Sequence, residues 1–95
     1  MEFLVTATVH IPSDMRAEQR EALTRAEASR GADLRKAGAI HRIWRVPGQR
    51  ASLAIWQASD ATELHDLLMS LPLSPWIDYT VTALAQHYLE LEPSS

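Results

Sequence analysis

No cysteine occurs in the 95 residues. That removes disulfides and thiolate metal sites, the covalent and metallic staples on which small domains often depend. Cations are also scarce: nine Lys and Arg stand against twelve Asp and Glu, a formal net charge of −3. A dedicated nucleic-acid binder carries a surplus of cations to neutralise several phosphates, so that class is not expected. No run is long and apolar enough for a membrane span. The apolar opening MEFLVTATVHIPSD carries Glu2 and His10, lacks a basic leader and is too short and too polar for a signal peptide. The chain therefore reads as soluble and cytoplasmic, with neither nucleic acid nor membrane as partner. GxGxxG, P-loop, GxSxG and HExxH patterns are all missing, and His10 and His87 have no spacing partner for a metal site. Neither a nucleotide nor a metal cofactor is expected.

What is present is 46% hydrophobic residues, enough to exclude general disorder. The length fits one domain over residues 1–91, with 92–95 as a loose tail. A chain of this size buries only about two-thirds of its unfolded surface, so association with further copies is the expected source of added stability.

The pattern changes period along the chain. Residues 2–10 alternate Phe3, Val5, Ala7 and Val9 with Leu4, Thr6, Thr8 and His10, as a half-buried strand does. After Pro12, the stretch from Met15 to about Lys36 is rich in Ala, Leu, Glu, Arg and Gln and predicts one long helix ending at Gly38, where glycine suits a left-handed turn. AIHRIWRV and RASLAIWQA flank PGQ and predict a hairpin. A second helix follows in SDATELHDLLMSL, opened by Asp60 with Glu63 as a variant capping box and carrying Leu64, Leu67, Leu68 and Leu71 at helical spacing. Pro72 and Pro75 end it, and WIDYTVTALAQH predicts a fourth strand. The order β-α-β-β-α-β is that of an α+β ferredoxin-like sandwich, with both helices on one face of an antiparallel sheet. Apolar residues on both faces of the strands imply that a second sheet covers the other face. The expected assembly is a dimeric α+β barrel enclosing a cavity.

Two places could carry chemistry. On a helical wheel the apolar stripe of the first helix runs through Met15, Leu23, Ala26, Leu34 and Ala37, with Arg30 within it and Glu27 at its edge. Partial desolvation makes a carboxylate a stronger base for a carbon-bound proton, whereas the plainer reading is an ion pair of Glu27 with Arg30. In the second strand His41, Ile43 and Arg45 alternate with Arg42, Trp44 and Val46. Either face brings a guanidinium beside an apolar wall, able to hold a substrate carboxylate; the plainer reading is a charged strand that discourages aggregation. His65, one position off the leucine stripe, reads as a surface or interface residue, and Trp44, Trp56 and Trp76 as packing.

The segments FLVTATVHIPSDM, LRKAGAIHRIWRVPG and ELHDLLMSLPLSPWIDYTVTALAQH, with the helix around Glu27, resemble the muconolactone delta-isomerase family in order and spacing over nearly the whole chain. LHDLLMSLPLSPW is the most specific, and IWRVPG resembles the family's Leu-Trp-Arg, Gly run. The resemblance implies a cofactor-free isomerase of ferredoxin-like fold, built as barrel dimers within a decamer and acting in the β-ketoadipate pathway of aromatic catabolism. Its reaction moves one proton along a small anionic lactone, turning muconolactone into 3-oxoadipate enol-lactone through a dienolate. By the same resemblance Glu27 is the base and Arg45 the leading anchor for the substrate carboxylate. His41 or Arg42 is the oxyanion donor, and Trp44 packs the pocket wall. The chain departs from the family in the order His41-Arg42, and in Arg50, Leu53, Gln57 and Gln86. Two other readings use the same residues: a diverged barrel enzyme acting on another lactone or a phenol, and a non-catalytic ligand-binding barrel.

Overall fold

The computed structural model describes residues 1–90; the tail expected at 92–95 lies outside the described residues. Strand β1 spans Glu2–Val9, helix α1 Ala17–Lys36, β2 Ile40–Arg45, β3 Ala51–Gln57, α2 Ala61–Met69 and β4 Ile77–Leu84. Short 3-10 turns at Ser74–Trp76 and Tyr88–Glu90 flank β4. The four strands form one antiparallel sheet in the order β2-β3-β1-β4, which is the ferredoxin-like arrangement.

Local chemistry explains the element ends. Asp60 caps α2 by accepting the Glu63 N–H at 2.8 Å, while the Glu63 carboxylate reaches back to the Ser59 N–H at 2.9 Å. Gly38 (φ 85°) closes α1 and Gly48 (φ 78°) turns the β2–β3 hairpin, both in the region that other residues enter at a cost of about 1–2 kcal/mol. The fourth strand stops at Leu84, short of the expected Ala85–His87.

Register decides the faces. Phe3 lies opposite Trp56 and Ala83, Val5 opposite Ala54 and Val81, and Ala7 opposite Ser52 and Tyr79, so these side chains share one face. Phe3, Val5, Ala54 and Trp56 are buried there with Leu34 of α1, Leu64 and Leu68 of α2, and Leu71, which places both helices over this face. Leu4, Thr6, Leu53 and Ile55 lie on the other face and are only half-buried.

Two expectations need correction. Along α1 the inward stripe is Leu23, Glu27, Arg30, Gly31 and Leu34, while Ala26 and Ala37 are exposed. Alanine gains little by burial, so the two leucines orient the helix and the residues between them face the sheet. Simple alternation also fails at the start of β2: Ile40 pairs with Trp56 and Arg42 with the adjacent Ile55, leaving His41 as the extra residue of a β-bulge. Arg35 steadies that bulge by donating from Nη1 to the carbonyls of Ile40 (3.3 Å) and His41 (2.6 Å).

Candidate active site

Glu27 sits where α1 crosses the sheet, facing a partly enclosed cavity of about 200 Å³ between the helices and the strands. The cavity is therefore on the helix-covered side of the sheet, within a single chain. Its walls are mostly apolar, with Val5, Ile40, Ala54 and Leu71 among them. The polar side chains on it besides Glu27 are Ser52, Trp56 and Tyr79. Gly31, one turn beyond Glu27, leaves a gap in the helix face: a methyl group there would meet no atom within 4 Å. A helix-interior glycine costs about 0.5–1 kcal/mol relative to alanine, so room beside Glu27 is kept at the expense of helix stability.

One carboxylate oxygen of Glu27 accepts the Leu73 N–H at 2.9 Å. Leu73 is itself buried, in the Pro-rich turn after α2, so the bond ties the SLPLSP segment to the first helix and holds the carboxylate in place. Its second oxygen makes no hydrogen bond among the described residues. Arg30 does not pair with Glu27; its guanidinium donates to the Ser70 hydroxyl at 3.0 and 3.2 Å, and Ser70 in turn donates to the Leu67 carbonyl. The Tyr79 hydroxyl lies 3.4 Å from the Leu68 carbonyl. Burial first, and the Glu27 carboxylate second, push this phenol up to about 12, so it keeps its proton at neutral pH.

Ile43 and Ser52 line both this cavity and a wider cleft of about 560 Å³ that also includes Arg45, Arg50, Gln49 and Trp44. The two spaces thus adjoin, with Glu27 and Tyr79 at the enclosed end and two guanidiniums at the open end. Neither Arg45 nor Arg50 takes part in an ion pair among the described residues. Such an arrangement suits a small anion with an apolar body: the cations hold its charge at the mouth and a carboxylate waits inside.

A model of the muconolactone delta-isomerase family matches residues 1–90. The chain belongs to that family. Muconolactone Delta-isomerase 2 of Acinetobacter lwoffii is 37% identical over 87 residues, covering 92% of this chain and 91% of the relative. Muconolactone Delta-isomerase of Cupriavidus pinatubonensis is 36% identical over 87 residues, covering 92% and 95%. The crystal structure of a muconolactone isomerase superposes with a TM-score of 0.91 at 31% identity, covering 99% of this chain and 98% of that one.

The fold thus brings only part of the expected set together. Glu27 lines the cavity and Arg45 the neighbouring cleft, with Ile43 and Ser52 in the walls of both. Arg42 lies on the opposite sheet face, stacked on Trp44 with its guanidinium carbon 4.9 Å from the ring centroid, and lines neither space. Trp44 shares that face but reaches the outer cleft. His41 is exposed and contributes its carbonyl to the bulge rather than its ring to the cavity. Ser52 and Tyr79 are not singled out as site residues by the sequence. Alternation along β3 and β4 could have put each on a face, but only the pairing with β1 shows that this face carries Glu27.

Proposed function

We propose that this chain is a cofactor-independent isomerase that converts muconolactone to 3-oxoadipate enol-lactone in aromatic catabolism by the β-ketoadipate pathway. The observation that carries the reading is the Glu27 carboxylate, held by one hydrogen bond with its other oxygen unengaged among the described residues, in an apolar cavity that shares Ile43 and Ser52 with the cleft of Arg45 and Arg50. Family membership supplies the substrate class.

In this reading Arg45 binds the substrate carboxylate at the mouth and the lactone ring enters the cavity. Glu27 takes the ring proton that is acidic through the conjugated double bond, and the C–H electron pair passes into the π system, giving a dienolate with negative charge on the lactone carbonyl oxygen. Glu27 then returns the proton to the carbon next to that carbonyl. One carboxylate serves as base and then acid, and apolar walls keep water from quenching the intermediate. Muconolactone added in deuterated buffer should lose its ring-proton NMR signal as enol-lactone signals appear. A folded protein that produces neither change would sink the proposal.

The reading extends to assembly and place of action. Leu4, Leu53 and Ile55 are half-buried and Trp44 is exposed on the face opposite the helices, which suits a second copy packed sheet to sheet, with such dimers joining into a decamer. Light scattering should then report a multiple of 10.6 kDa; a monomer at micromolar concentration would contradict it. A cytoplasmic location accords with the finding that no helix among the described residues is long and apolar enough to cross a membrane.

A further inference from the structure

We propose that Tyr79 is a catalytic residue of this chain, donating its phenol O–H to the lactone carbonyl oxygen as that oxygen becomes negative within the cavity shared with Glu27. The inference rests on the isomerase reading above. That reaction places a full negative charge on one oxygen and needs a donor aimed at it. The arginine of β2 beyond the bulge and the bulge histidine do not line the cavity. Of the three donors that do, Ser52 stands at the junction with the open cleft, where water competes, and Trp56 is packed at 4% exposure within the core cluster. Tyr79 lines the enclosed space alone and packs only against the edge of the core. Its contact with the Leu68 carbonyl, at 3.4 Å, is long for an O–H donor and is readily given up for a charged acceptor.

The charge bookkeeping agrees. When Glu27 takes the proton, the C–H bond breaks, an O–H bond forms on the carboxylate, and the negative charge moves to the substrate oxygen. Tyr79 faces one negative charge before and after that step, and its raised pKa keeps the phenol proton in place, so it donates a hydrogen bond without transferring the proton. A stationary donor of this kind lowers the barrier but adds little to binding of the neutral carbonyl in the ground state.

The test compares wild type, Tyr79→Phe and Ser52→Ala with muconolactone, following steady-state rates and ring-proton exchange. Tyr79→Phe keeps the ring that packs the core, so circular dichroism should be unchanged. Its kcat should fall by about ten- to a hundredfold, the loss of one hydrogen bond to a charged group, with KM within about twofold of wild type. Ser52→Ala, at the wetter junction of the two spaces, should lose less activity than Tyr79→Phe. An active wild type with unimpaired Tyr79→Phe, or with the loss appearing in Ser52→Ala instead, overturns this inference alone. A wild type that neither exchanges nor isomerises the lactone overturns the isomerase reading, and this inference with it.

Discussion

Glu27→Gln should lower kcat by about 10²- to 10⁴-fold while leaving the fold intact, the range over which removal of a positioned general base is felt. Glutamine is the informative substitution because its amide oxygen can still accept the Leu73 N–H that Glu27 accepts at 2.9 Å. The turn after α2 then keeps its anchor and the change is confined to basicity. Glu27→Ala would confound the two effects, since it leaves a backbone donor of a buried residue without a partner, at about 1–3 kcal/mol. Steady-state kinetics with thermal melts of both variants separate them: the glutamine variant should melt near wild type and the alanine variant lower, with both nearly inactive. A glutamine variant that exchanges the ring proton at wild-type rate would remove Glu27 from the base role.

Arg45→Ala should raise KM by about ten- to a hundredfold with a smaller change in kcat, because the substrate carboxylate is held equally in ground and transition states. Arg45 is exposed at the rim of the outer cleft, so the effect should shrink as salt is added and the charges are screened. Arg45→Lys should fall between the two, keeping the charge but losing the two-pronged geometry. Arg50 lines the same cleft, and its guanidinium too makes no ion pair among the described residues. An unchanged KM in Arg45→Ala, with the loss appearing in Arg50→Ala, would move the anchor into the β2–β3 turn.

The two proposed roles come from the sequence by different routes: Glu27 is a carboxylate beside the apolar stripe of a helix, and Arg45 matches the Trp-Arg pair of the family. Arg42 and His41 show where that legibility ends. Counting by twos along β2 assumes an unbroken ladder, and the bulge that leaves His41 unpaired depends on its partner strand and on Arg35 of α1. The ring of His41 is exposed for the same reason, and Arg42 keeps company with Trp44 away from Glu27.

The order of elements, the Asp60 cap, the left-handed glycines at 38 and 48 and the turns at the prolines were determined by sequence alone, since each follows from interactions within a few residues. Which sheet face the helices cover was decided only by tertiary structure. That choice depends on Leu34, Leu64 and Leu68 meeting Phe3, Val5 and Trp56 across long stretches of chain. The same packing puts the Glu27 cavity beneath the helices and brings Tyr79 to it from β4, 52 positions away in the chain (79 − 27). Periodicity is a local property of a chain; the company the Glu27 carboxylate keeps is set by strand register, which is not.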